Sequence, residues 1–385
     1  MLADGESTLR NIEFCNDTLS AIKCIEALGA EVRRTGETTL SIRGGFSPRD
    51  NVLNVGESGL ATRLFTPIAA LWDKPVVITG EGTLLHRPMT MMMEPLRHLG
   101  VAVRDGGGYL PIEVCGRMHG GRIEVDGSIS SQFITGLLLA LPMAEGDTTL
   151  KVHGAVSTPY IDMTVETAER FGGRILHSDY TEFFIEGGQR YTAADYAIEG
   201  DWSAAAMLLV AGAIAGEVTL DNISTLSKQA DTLICRALVR AGASVINEEN
   251  SITVAKRDLT AFEFDATNCP DLFPALAALA AAAEGTSVIT GTSRLEHKES
   301  NRAETLREEY AKLGIEIDIE TENVMKIRGG SIHGAEVDGH SDHRIAMSLA
   351  VSALRSDGDV KITGAECVGK SYPNFFEDIE SLRVK

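Results

Sequence analysis

Leu99-Gly100-Val101-Ala102-Val103, followed after a polar turn by Ile112-Glu113-Val114, reads as a helix end, a glycine and two short strands that fold back on each other. The same form stands at Leu28-Gly29-Ala30-Glu31-Val32 running to Leu40-Ser41-Ile42, and at Phe171-Gly172-Gly173-Arg174-Ile175 running to Phe183-Phe184-Ile185. It returns at Ala241-Gly242-Ala243-Ser244-Val245 running to Ile252-Thr253-Val254, and at Leu313-Gly314-Ile315-Glu316-Ile317 running to Met325-Lys326-Ile327. The leading glycines fall at 29, 100, 172, 242 and 314, so the steps are 71, 72, 70 and 72 residues. Equal spacing over the whole chain marks a repeat architecture.

Between these hairpins a second motif repeats. A turn rich in Gly, Ser and Asp opens an Ala/Leu-rich helix, which leads to a β-rich strand and another turn. Helix tail and strand read Ala70-Leu71-Trp72 to Ile78-Thr79-Gly80 in one copy, and Ala282-Ala283-Glu284 to Ile289-Thr290-Gly291 in another. The unit is helix, strand, helix, hairpin, with strands packed on helices in an α/β (α+β) chain. At the ends, Met1 to Asn11 reads as a helix tail and its strand, and Asn374 to Leu382 as the helix before a sixth hairpin. The repeat count predicts that one hairpin and one turn-helix are missing, both from a single segment before Met1.

Of 385 residues, 44% are hydrophobic and 23% charged, without low-complexity tracts, which excludes wholesale disorder. Thirty-five basic against 55 acidic residues leave a formal charge of −20, which argues against nucleic-acid or anionic-membrane partners. The longest apolar runs, Ala204 to Ala215 and Leu272 to Ala283, are shorter than the ~20 residues of a bilayer span. Met1-Leu2-Ala3-Asp4-Gly5-Glu6 lacks the basic and apolar regions of a signal peptide. Cys15, Cys24, Cys115, Cys235, Cys269 and Cys367 form no CxxC pair and read as reduced thiols of a cytoplasmic protein.

The turns concentrate unusual residues. Gly56-Glu57-Ser58-Gly59 with Arg63, Asp126 to Gln132, Gly200-Asp201-Trp202-Ser203, Asn268-Cys269-Pro270-Asp271 and Gly339 to Arg344 open the first helices. His86-Arg87-Pro88, Ser157-Thr158-Pro159-Tyr160, His297-Lys298-Glu299 with Arg302, and Gly369-Lys370-Ser371 fall where the second helices begin. Capping alone explains Ser and Asp there. It does not explain cations, which oppose the positive end of a helix unless an anion offsets both. Phosphate and carboxylate groups are the expected ligands.

The chain resembles the enolpyruvyl transferases, and among them the branch that acts on shikimate 3-phosphate. The resemblance rests on Val125-Asp126-Gly127-Ser128-Ile129-Ser130-Ser131-Gln132-Phe133, Ser157-Thr158-Pro159-Tyr160-Ile161-Asp162, Lys298-Glu299 with Arg302, and Asp342-His343-Arg344-Ile345-Ala346-Met347, in family order along essentially the whole chain. It implies a two-domain inside-out α/β barrel of about six repeats, helices inside and sheets outside. The domains would be residues 1–198, on the shikimate 3-phosphate side, and 199–385, carrying proton transfer and part of the phosphoenolpyruvate site. It further implies transfer of the enolpyruvyl group of phosphoenolpyruvate to the 5-hydroxyl of shikimate 3-phosphate, in aromatic amino-acid biosynthesis. Neither metal nor cofactor is required, and the expected form is a cytoplasmic monomer.

By the same resemblance, Ser130, Ser131, Gln132, Ser157, Tyr160, Asp271 and Lys298 hold shikimate 3-phosphate. Gly59, Arg87, Gln132, Arg302, Arg344 and Lys370 hold phosphoenolpyruvate, Asp271 takes the proton of the attacking hydroxyl, and Glu299 handles the proton at the enol methylene. Residue types suit the task, since guanidinium forks match carboxylate and phosphate. On the residues alone, the lesser alternatives are Asp271 as a simple helix cap and Glu299 as an exposed helix carboxylate paired to Arg302. His343 reads as structural. The family's Pro-Gly-Ser-Lys-Ser turn with Asn-Arg is absent, so low activity is expected of this form. The phosphoenolpyruvate loop reads Glu57-Ser58-Gly59-Leu60 where many relatives have Asn-Ala-Gly-Thr. Two alternatives remain: transfer to a nucleotide-linked amino sugar, and a non-catalytic relative that binds phosphorylated ligands.

Overall fold

A computed structural model describes residues 1–128 and 130–382, so Ile129 of the serine motif lies outside the described residues. The helices are α1 (Asn16–Ala27), α2 (Gly59–Ala69), α3 (Met93–His98), α4 (Gln132–Ala140), α5 (Thr158–Arg170) and α6 (Trp202–Ala215). They continue as α7 (Ile234–Arg240), α8 (Phe273–Ala281), α9 (Arg302–Lys312), α10 (His343–Ala353) and α11 (Phe375–Ser381). Contacts divide the chain into two compact units, Met1–Ile198 and Glu199–Lys385.

Each repeat glycine ends a helix and opens a hairpin. Gly29, Gly100, Gly172, Gly242 and Gly314 follow α1, α3, α5, α7 and α9, with φ of +106°, +83°, +83°, +93° and +83°. A side chain would be strained in that left-handed backbone, which is why glycine recurs there. The hairpins pair antiparallel, for example Ala102–Asp105 with Ile112–Cys115.

In unit 1 each hairpin extends a parallel pair into a four-stranded sheet. Val52–Asn54 runs parallel to Val76–Thr79, which pairs with Ile112–Cys115; Arg122–Asp126 runs parallel to Thr148–His153, which pairs with Glu182–Ile185. The third sheet takes Asp195–Ala197 from the end of the unit and lays it parallel to Glu6–Arg10. Unit 2 has one sheet of this form, with Glu263–Asp265 parallel to Thr286–Thr290. Among the described residues its other sheets are Glu217–Asp221 with Ser251–Ala255 and Ser244–Asn247, and the parallel pair Glu336–Asp338 with Lys361–Thr363.

Met1 to Gly5 are not helical, against the expected helix tail.

The two longest apolar runs become interior helices. All nine residues of α8 and eleven of the fourteen in α6 are buried, the signature of helices surrounded on every side. Among the described residues, no helix is long and apolar enough to cross a membrane. In unit 1, α2 and α4 approach closely because Gly136 has no side chain. A Cβ there would stand 2.3 Å from the Arg63 carbonyl oxygen and 2.8 Å from Pro67. That contact aligns the starts of two helices, and Gln132, the first residue of α4, meets Arg63 across it.

Candidate active site

Unit 2 gathers a buried ionic cluster at the start of α9. Arg302, the helix's first residue, has a side chain only 1% exposed and engages three carboxylates. Its Nε donates to Asp342 Oδ2 at 2.8 Å and its Nη2 to Asp342 Oδ1 at 3.1 Å, a two-pronged pair. Nη2 also donates to Glu299 Oε2 at 2.9 Å, and Nη1 to Asp271 Oδ1 at 2.6 Å. Lys298 Nζ donates to the same Asp271 oxygen at 3.1 Å, and Arg344 Nε lies 3.8 Å from it. Asp342 also accepts from Arg344 N, capping α10, and from Ser300 Oγ.

Electrostatics follow from this crowding. Burial pushes the Asp271 carboxyl up, but Lys298, Arg344 and Arg302 together hold it well below the ordinary carboxylate range. Asp342, fully buried, would also be raised by burial and is held low by Arg302. Burial lowers the Lys298 ammonium, with Asp271 opposing. Burial pushes His343 down to about 3, so its ring is neutral and adds no cation. Its buried Nδ1 makes no hydrogen bond among the described residues and lies 3.9 Å from Asp342 Oδ1.

Asp231 sits at the edge of the cluster, fully buried, and accepts from Ser203 Oγ at 2.5 Å. Desolvation, then the Asp271 charge, raises it to about 6. A carboxyl raised on folding contributes its stability below the unfolded value and loses it as pH rises through about 6. Asp231→Asn should therefore stabilise the protein at pH 8 by on the order of 2 kcal/mol, with little effect at pH 4. Urea denaturation at the two pH values checks this; an effect independent of pH would contradict it.

Unit 1 presents a second set. Arg63 Nη1 donates to Gln132 Oε1 at 2.8 Å, and Ser130 Oγ accepts from Gln132 N at 3.2 Å. Ser131 and Ser157 are buried, Ser157 with a left-handed φ of +54° at the start of α5. Tyr160 is half-buried in that helix. Gly59 backs onto Arg87, whose guanidinium would lie 2.6 Å from a Cβ at Gly59. Ser58 caps α2 by accepting from Ala61 N.

The expectation that the cations stand at helix N-termini needs correction. Arg302 and Arg344 do, in the first turns of α9 and α10. Arg87 follows a 3-10 turn, Gly82–His86, and Lys370 ends another, Ala365–Lys370, while Lys298 lies in the irregular segment before α9. The anion that offsets Arg302 and Arg344 is in part the protein's own, Asp342 and Asp271. Asp271 makes no side-chain cap for α8. Glu299 is paired to Arg302 at 12% exposure. Asp342, Asp231 and Arg63 received no role from the sequence, because their partners lie 40, 28 and 69 residues away.

The sequence profile of EPSP synthase (3-phosphoshikimate 1-carboxyvinyltransferase) matches residues 1–379. The chain belongs to the EPSP synthase family. A 3-phosphoshikimate 1-carboxyvinyltransferase of Methanocella arvoryzae is 40% identical over 378 residues, covering 96% of this chain and 89% of the relative. One of Clostridium kluyveri is 36% identical over 99% of this chain and 90% of the relative. A solved EPSP synthase from Acinetobacter baumannii has a TM-score of 0.82 at 27% identity, over 99% of this chain and 90% of that one. The inside-out α/β architecture of the EPSP synthase family is thus the fold of this chain.

Proposed function

We propose that the protein transfers the enolpyruvyl group of phosphoenolpyruvate to the 5-hydroxyl of shikimate 3-phosphate, releasing phosphate. The observation that carries this reading is the cluster of Lys298, Arg302 and Arg344 around Asp271, with Glu299 on the same guanidinium. It joins cations for an anionic substrate to two carboxylates for proton transfer. We assign Ser130, Ser131, Gln132, Ser157, Tyr160, Asp271 and Lys298 to shikimate 3-phosphate, and Gly59, Arg87, Gln132, Arg302, Arg344 and Lys370 to phosphoenolpyruvate.

Asp271 is a poor base while three cations surround it. Phosphoenolpyruvate brings a carboxylate and a phosphate whose charge offsets Arg302 and Arg344, and shikimate 3-phosphate draws on Lys298. The proton affinity of Asp271 then rises as substrate binds. Asp271 takes the 5-hydroxyl proton as the hydroxyl oxygen attacks C2 of the enol, and Glu299, which must be protonated in the substrate complex, delivers its proton to C3. In the second half the C2–O bond to phosphate breaks, Glu299 takes a proton back from C3, and the proton held by Asp271 leaves with the phosphate. The cations stabilise charge on the leaving phosphate throughout. Six free thiols fit a cytoplasmic setting, and the proposed form is a monomer.

Arg344→Met should raise KM for phosphoenolpyruvate about 10²-fold and leave that for shikimate 3-phosphate within a few-fold. Steady-state kinetics with each substrate varied reads this. Equal effects on both KM values would remove Arg344 from the phosphoenolpyruvate site.

A further inference from the structure

Glu309 is a fully buried carboxylate two turns along α9 from Arg302, on the same helix face. It accepts from His340 Nε2 at 2.7 Å, from Asp338 N at 2.9 Å, and from Lys312 Nζ at 2.7 and 2.8 Å. His340 lies two residues before Asp342, which Arg302 holds. α9 therefore grips the segment 338–344 at two points, Glu309 on His340 and Arg302 on Asp342. Arg344 follows directly.

The gripped turn is unusual. His340 and Ser341 both have left-handed backbones, with φ of +51° and +54°. Non-glycine residues hold such angles only where surrounding contacts impose them. Asp338 adds a further tie, accepting from His340 N and Thr363 Oγ1, each at 2.6 Å.

We propose that His340 is a positioning residue that, latched to Glu309, fixes the turn carrying Asp342 and Arg344 and so sets where the Arg344 guanidinium meets phosphoenolpyruvate. The proposal rests on the assignment of Arg344 to that substrate. Burial opposes the charge on Glu309, but Lys312 and His340 keep the carboxylate ionised. Glu308, Glu309 and His340 could offer a metal three ligand atoms within 4.8 Å of one another. Lys312 Nζ, bonded to both Glu309 oxygens, already supplies the positive charge there.

The test compares H340G, H340Q and Arg344→Met with the unaltered chain. Glycine adopts the left-handed turn freely, so H340G removes the latch without adding backbone strain. Loss of one charge-assisted hydrogen bond predicts a rise of about tenfold in KM for phosphoenolpyruvate, with that for shikimate 3-phosphate unchanged. H340Q, whose amide nitrogen reaches the place of Nε2, should recover most of the loss. An H340G enzyme with unchanged KM, or no recovery in H340Q, would overturn the latch while a raised KM in Arg344→Met keeps the anion site. Unchanged KM in Arg344→Met would overturn the site reading and the latch with it. A melting temperature lowered by EDTA in the unaltered chain but not in H340G would assign the cluster to a metal and overturn the latch.

Discussion

Replacing Arg302 with methionine should remove both activity and much of the stability of unit 2. Methionine keeps the apolar stem but leaves Asp342, Glu299 and Asp271 facing each other without their shared cation. Breaking a buried pair from one side costs about 3 to 5 kcal/mol. Against the 5 to 15 kcal/mol stability of a typical domain, that is a loss of about a fifth or more. The loss should depend on pH. In the unaltered chain Asp342 is held low, so its contribution is present above the unfolded carboxyl value and fades only in acid below it. In the variant the buried carboxyl is raised, and its protonation on acidification relieves the cost. The stability gap at pH 7, read by urea denaturation, should therefore narrow towards pH 4. A gap that widens in acid would mean that the carboxylates are not what Arg302 stabilises.

Replacing Asp271 with alanine should separate chemistry from binding. A positioned general base contributes about 10²- to 10⁴-fold, and kcat should fall by that amount. Asp271 competes with the incoming anion for Lys298, Arg302 and Arg344. Its removal should hold or lower KM for phosphoenolpyruvate, with shikimate 3-phosphate affinity kept within an order of magnitude. Stopped turnover without weakened binding is the expected pattern. Comparable activity would take Asp271 out of the mechanism, and a large rise in both KM values would make it structural.

The fold was legible where a local constraint forces a residue type. A left-handed residue after a helix calls for glycine, and five such glycines at even spacing describe the repeat without knowledge of any contact. Helices apolar on every face announce an interior position, as in α6 and α8. Long-range pairing leaves no such trace. Nothing in Asp195-Tyr196-Ala197 indicates that it lies parallel to Thr8-Leu9-Arg10, more than 180 residues earlier.

In the candidate site, the residue types were legible and their contacts were not. Lys298, Arg302 and Arg344 stand out as cations in an acidic chain. What each one touches depends on three-dimensional neighbours, so the Asp342 clamp on Arg302 and the Asp231–Ser203 bond appear only in the structure. Sequence placed every cation at a helix start because turns and 3-10 segments share the composition of helix caps. Arg87 and Lys370 differ for that reason.

The most direct measurement follows phosphorus. Phosphoenolpyruvate, shikimate 3-phosphate, the enolpyruvyl product and inorganic phosphate give separate ³¹P NMR signals. With both substrates present, the protein should convert phosphoenolpyruvate to inorganic phosphate in equal measure with a new 3-phosphate resonance. Omitting shikimate 3-phosphate should stop the conversion. Loss of phosphoenolpyruvate without shikimate 3-phosphate, or no new resonance with both present, would contradict the transferase reading.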